Sequence, residues 1–162
     1  MRYLIIFLLV TAGCKQSPSP QQEKVLFFHF DEMPFETLSP NTQRKMVNGK
    51  NITFSEFRFA EGTQIPQHHH KNEQIIYVIQ GSLKVIFDGE TYVMNQGDLC
   101  LIPPERAHSF EALEETLCLQ IFSPIRKDWI NGEDVYLRYG SLQKLEQNDP
   151  SHLLSCLPSL LP

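Results

Sequence analysis

GTQIPQHHHKNEQIIYVIQG, the stretch from Gly62 to Gly81, decides how this chain is read, through the pattern Gly62-x5-His68-x-His70-x3-Gln74-x6-Gly81. After the fifteen residues Ser82 to Gln96 comes GDLCLIPPERAH, Gly97 to His108, with the spacing Gly97-x5-Pro103-x4-His108. Side chains at i and i+2 of a strand face the same side, so His68 and His70 are expected to point together while His69 points away. Gln74 keeps the same parity unless Lys71-Asn72-Glu73 forms a turn that breaks the count. His108 arrives from a separate strand behind Pro103-Pro104-Glu105-Arg106. Imidazole nitrogens suit divalent transition metals. His68, His70, Gln74 and His108 are therefore read as ligands of a mononuclear site that leaves one or two positions open. The ion is zinc, nickel, iron or manganese; nothing in the spacing selects among them. A lone histidine is more often a hydrogen-bonded surface group, and consecutive histidines also form adventitious metal tracts. The conjunction of strand spacing with a third histidine behind a Gly-Asp turn favours a built site.

Outward from these motifs the chain continues in short apolar runs separated by turn signals. Ile52 to Phe59 alternates apolar and polar as a half-buried strand should. Ile75 to Ile79 and Leu83 to Phe87 follow, with Gln80-Gly81-Ser82 between them read as a hairpin turn. Asp88-Gly89 is a stronger hairpin signal before Thr91 to Met94. Leu99 to Ile102, Ala107 to Phe110 and Thr116 to Phe122 complete the set. No stretch before Arg126 keeps a 3.6-residue period, so an all-β double-sheet sandwich or barrel is expected. Beyond Trp129, Asp134 to Arg138 reads as a final strand and Leu142 to Gln147 as a helical turn. The apolar, proline-broken end from Leu153 to Pro162 is too short to span a membrane.

With 162 residues, 41% apolar and 20% charged, the chain accommodates one domain with a short appendage at each end. A formal net charge of −5 and the lack of a Lys/Arg cluster argue against nucleic acid as a partner. The N-terminus has the pattern of an export signal, with Arg2, the apolar Tyr3 to Val10, and the small residues Thr11-Ala12-Gly13 before Cys14. Eight apolar residues do not cross a bilayer, which needs about 20 in a helix. Residues 1–13 resemble a bacterial lipoprotein signal, which implies lipidation of Cys14 and anchoring in the cell envelope. Lys15 after the cysteine points to the outer membrane. Thr11 departs from the usual leucine, and an ordinary secretory signal is the alternative. Residues 14–24 then form a polar tether. Among the remaining cysteines, Cys100 and Cys118 lie in apolar runs and read as small buried thiols. Cys156 has no assigned role, and no spacing matches a zinc-binding set.

Both histidine segments resemble the two motifs of the cupin superfamily, small β-barrels of jelly-roll type. The resemblance covers about Asn51 to Phe122 and implies a single barrel over residues 25–127, with core motifs at 62–81 and 97–112 and a C-terminal extension over 128–162. Gln74 stands where most cupins carry a glutamate ligand, and Glu73 could substitute only if the turn shifted register. Glu105 and Ala112 replace the usual Gly and Asn of the second motif. A narrower likeness joins His68 to Gly81 with the pectin-degradation cupins that linearise 4,5-unsaturated uronates, in which glutamine is a metal ligand. Those enzymes also carry Asp-x-Phe-Ser-Pro-x-Arg, matched here by Gln120-Ile121-Phe122-Ser123-Pro124-Ile125-Arg126. The likeness implies that Phe122 lines a sugar pocket and Arg126 holds the uronate carboxylate. The alternative is a strand end stopped by Pro124 with a solvated Arg126. Gln120 replaces the family's proton-transferring carboxylate. An amide does not exchange a proton near neutral pH, so acid/base work falls to another group, such as metal-bound hydroxide, or is lost. Three functions stay open: a uronate-opening or isomerising enzyme, a non-catalytic metal- or sugar-binding lipoprotein, and a small-molecule dioxygenase. Cupins often dimerise through strand edges, and the sequence leaves a homodimer open.

Overall fold

The computed structural model describes residues 24–139. The signal-like segment, Cys14, the 15–23 part of the tether, the Leu142–Gln147 turn, Cys156 and the apolar end lie outside them. The chain divides into two units, Met1–Asp31 and Glu32–Pro162. In the first, the described residues hold only the start of a single 3-10 turn, Phe30–Glu32. No helix among the described residues is long and apolar enough to cross a membrane.

The second unit is an all-β jelly roll of two antiparallel sheets. Its strands are β1 (Glu36–Ser39), β2 (Thr42–Asn48), β3 (Thr53–Phe59), β4 (Gln64–His68) and β5 (Glu73–Gln80), then β6 (Ser82–Phe87), β7 (Glu90–Asn95), β8 (Leu99–Ile102), β9 (His108–Ala112) and β10 (Thr116–Ser123). The larger sheet runs β1-β2-β3-β10-β5-β8 and the smaller β4-β9-β6-β7. Two short helices follow, α1 (Lys127–Ile130) and α2 (Val135–Tyr139).

Period-two alternation sets the interior. Thr53, Ser55, Phe57 and Phe59 on β3, Gln74, Ile76 and Val78 on β5, and Thr116, Cys118, Gln120 and Phe122 on β10 are all buried. Each inward phenylalanine, leucine or isoleucine contributes about 1.5–3 kcal/mol by leaving water. Gln74 and Gln120 share these inward faces, so the same alternation that builds the core delivers two amides into it. The Cys118 thiol is buried among them and pushed up to about 12 by that burial, while Cys100 is half-buried; both are free.

Two local expectations are corrected. Gln80-Gly81-Ser82 does not close a hairpin, because β5 pairs with β10 and β8 while β6 pairs with β7 and β9. The chain instead crosses from one sheet to the other. Gly81 allows this with φ +80°, and a Cβ there would meet the Glu115 carbonyl at 2.4 Å. Asp88-Gly89, with φ of 53° and 79°, is a true hairpin between β6 and β7. The second correction is at Asp134 to Arg138, which forms no strand: Val135–Tyr139 is helix α2. Asp134, fully buried, ties the start of α2 to Arg44 of β2 at 2.9 Å. Trp129 of α1 and Leu137 of α2 join the hydrophobic core.

Candidate metal centre and pocket

The strand pairing brings two of the imidazoles together. His68 ends β4 directly opposite His108, the first residue of β9. A register shift between Ile65 and His68 resets the alternation, so that Ile65 and His68 both face inward although three residues apart. His70 lies beyond the strand end, in the loop to β5, yet its ring sits 5.8 Å from that of His68 and 5.2 Å from that of His108. The expected convergence of His68 and His70 holds, with the loop rather than continuous strand parity placing His70. Ligand atoms of His68, His70 and His108 all lie within 4.8 Å of one another. His69 points outward and meets Glu105 at 3.0 Å. Glu73 is exposed on β5, so the shifted-register alternative to Gln74 does not occur.

Each ring is oriented by a backbone carbonyl. The Nδ1 atoms of His68, His70 and His108 lie 2.9, 2.9 and 2.7 Å from the carbonyls of Pro66, Asn72 and Arg106. A carbonyl only accepts, so each Nδ1 carries the proton and each Nε2 presents a lone pair. Burial, helped by the neighbouring imidazoles and by Arg126, lowers His68 to about 3. Burial and the Arg126 charge lower His70 to about 4, and burial lowers His108 as well. All three are therefore neutral at pH 7, the form that binds a metal.

Two details fit a cation at this point. The Nε2 of His108 is buried without a hydrogen-bond partner. The Oε1 of Gln74 lies 3.0 Å from Nε2 of His70. With His70 neutral, two acceptors face one another, and a shared cation removes that conflict. Gln74 is held in this attitude by donating from Nε2 to Oε1 of Gln120 at 3.1 Å. Gln120 in turn directs its own amide N–H to the Cys118 sulfur at 3.6 Å. The amide at position 120 thus orients Gln74.

Phe122 and Arg126 also reach the site. The Phe122 ring lies 5.5 Å from that of His70, and the Arg126 guanidinium stands 4.8 Å from the Phe122 ring centre and 4.1 Å from that of Trp129. Arg126 is 1% exposed, which removes the solvated alternative. Its Nε and Nη2 donate to Asp128, Nη2 also donates to the Tyr136 hydroxyl, and Nη1 is buried without a partner. Burial opposes the charge, but Asp128 and Tyr136 more than offset it and raise the guanidinium above its ordinary pKa. A cavity of about 10 Å³, lined among others by His68, Gln74, Gln120, Phe122, Arg126 and Tyr136, lies between these groups.

Sequence reasoning did not find Asp128, Trp129 or Tyr136. The one available signal was Trp129, the chain's single tryptophan, three residues after Arg126.

The buried imidazoles set a pH dependence. Their folded pKa values lie below the unfolded value of 6.5, so the unfolded chain binds more protons in the interval between. Stability of the metal-free protein is full above about pH 6.5 and falls as the pH drops through the folded values. Thermal melts of metal-free protein are expected to shift downward steadily from pH 6.5 to about 4. A flat profile would contradict joint burial of the rings.

Residues 55–122 match the family model described as a cupin domain. The chain is 31% identical over 107 residues to the pectin degradation protein KdgF of Dickeya dadantii, covering 64% of this chain and 97% of that protein. Among solved structures it is similar to KdgF from a Halomonas species, with a TM-score of 0.61 and 32% identity, over 64% of this chain and 99% of that one. A RmlC-like cupin from Shewanella frigidimarina aligns with a TM-score of 0.60 and 25% identity, over 67% and 98% of the two chains.

Proposed function

The chain belongs to the cupin superfamily, and we propose that it holds a divalent transition metal on His68, His70, Gln74 and His108 and opens or isomerises an unsaturated uronate or related sugar acid. One observation carries this reading: two unpartnered buried groups, Nε2 of His108 and Nη1 of Arg126, belong to one site. The first supplies a metal ligand and the second an anchor for a carboxylate. A bound ion would polarise the substrate oxygens. Asp128 fixes the Arg126 fork so that Nη1 is the donor left for the substrate, a charge-assisted contact. The Phe122 face forms the wall between His70 and Arg126. Gln120 keeps the Gln74 oxygen turned to the centre and transfers no proton itself.

The test follows the ultraviolet absorbance of 4,5-unsaturated galacturonate incubated with purified, metal-loaded protein. The expected result is decay clearly faster than with an Arg126→Ala variant of equal metal content. Equal decay in the two would remove the sugar-acid assignment and leave the metal centre standing.

A second reading, binding without turnover, is favoured by one detail. The Gln120 amide is engaged on both sides, by Gln74 and Cys118, and offers no proton. Isothermal titration separates the two: heat of binding without loss of absorbance would support binding alone.

A further inference from the structure

We propose that Tyr136 is a specificity-determining residue of the metal pocket, occupying the substrate's place until a carboxylate displaces it from Arg126. This rests on the reading of the pocket as a sugar-acid site. The Tyr136 ring stacks on His68, with centroids 4.4 Å apart and planes 28° apart. Its hydroxyl accepts from Arg126 Nη2 at 2.8 Å and from Trp129 Nε1 at 3.3 Å. With the ring seated there, about 10 Å³ remains, room for about one water. Pockets for organic ligands run from about 300 Å³ upward. A sugar acid and the seated Tyr136 ring therefore exclude one another.

What would move the ring is written in its partners. Tyr136 gives Arg126 a neutral acceptor, whereas a uronate carboxylate gives it a charged one, and charge-assisted hydrogen bonds are about twice as strong. Arg126 already has Nη1 unpartnered, so an incoming carboxylate finds one free donor and competes with the phenol for a second. A neutral sugar gains nothing from that exchange. The site thereby selects for acids before any chemistry begins.

The element that moves is also defined. Gly132, with φ +74° and open space around it, joins α1 to α2. Beyond it, α2 is latched by Asp134, bonded to Arg44 at 2.9 Å and to Arg138 at 2.7 Å, while Arg138 reaches Glu36 at 2.6 Å. The Asp134–Arg44 pair is buried and the Arg138 contacts lie nearer the rim, with Arg138 28% and Glu36 45% exposed in their side chains. Loss of Arg138 therefore loosens the outer end of α2 while the inner pair holds.

Three measurements on the full chain test this. Trp129 is the single tryptophan and is 4% exposed, so acrylamide quenching of its fluorescence reports release of the ring. In wild-type protein, 4,5-unsaturated galacturonate is expected to raise quenching at least twofold and galactose to leave it unchanged. Removal of zinc by EDTA is expected to run about tenfold faster in Arg138→Gln and in Tyr136→Ala, with melting curves confirming that both fold. Tyr136→Phe keeps the stacked ring and loses its bonds to Arg126 and Trp129, so its Trp129 is expected to respond to galacturonate at lower concentration. Wild-type zinc-release rates in both Arg138→Gln and Tyr136→Ala, with Trp129 unresponsive to the acid, would overturn the proposal even if the uronate is turned over. Faster zinc release in both variants with no turnover by any protein would keep Tyr136 as the gate and discard the uronate reaction instead.

Discussion

Replacing His108 by alanine is expected to abolish stoichiometric uptake of zinc or nickel, with an affinity loss beyond about 100-fold, since even the outer partners of metal ligands are worth 10–100-fold. His108 is 1% exposed, is fixed through Nδ1 to the Arg106 carbonyl, and aims an unpartnered Nε2 inward. No neighbouring side chain on β9 can replace it, because Phe110 and Ala112 hold the other inward positions. Metal content after equilibrium dialysis, measured by mass spectrometry, gives the answer. One ion per chain retained in His108→Ala would break the ligand assignment, whatever the protein does with the metal.

The second large effect concerns position 120. Gln120→Asp is expected to raise uronate ring opening by about 10²–10⁴-fold, the usual worth of a positioned general acid or base. The change removes one methylene and introduces a carboxylate on the side facing the Gln74 amide. It sits on the inward face of β10, two residues from Phe122 and within the same cavity as Arg126. The absorbance assay reads the rate directly, with metal content measured alongside. An unchanged rate at full metal content would mean that the proton moves through another group and that the amide is no impediment. Activity present only in the substituted protein would identify the natural chain as a binder that retains the architecture of an enzyme.

The inward residues were legible because a strand repeats every two positions. Phe57, Phe59, Ile76, Val78 and Phe122 announce their faces locally, and His68, His70 and His108 announce by chemistry and spacing the cluster in which the fold gathers them. What stayed hidden depends on distant partners. β1 and β2 show no clear apolar alternation because Thr42 and Arg44 take inward positions, and Arg44 is paired through Nη2 with Glu36 nearby and with Asp134 far along the chain. Gly81 signals a reversal, but which sheet receives the next strand is settled by β9 and β10, some thirty residues later. Val135, Tyr136 and Leu137 have strand-like propensities, which are weak beside tertiary contacts. The Asp134 ion pairs and the core seat of Leu137 decide for helix. The role of Gln120 as the group that orients Gln74 has no trace in a motif at all.

The position of β10 has a consequence for how the molecule comes into being. It is the last strand among the described residues, yet it lies in the middle of the larger sheet, bonded on one side to β3 and on the other to β5. Pairing β10 with β3 joins residues about sixty apart, and such closures are slow compared with local hairpins. Until residue 123 has been made, β3 and β5 each present an open edge, the situation in which nascent β proteins pair wrongly or aggregate. The same strand carries Gln120 and Phe122 and leads directly to Arg126. The pocket therefore cannot be complete until β10 and the helices after it have been made, and a newly made chain holds its histidines before it holds the surroundings that give them a task.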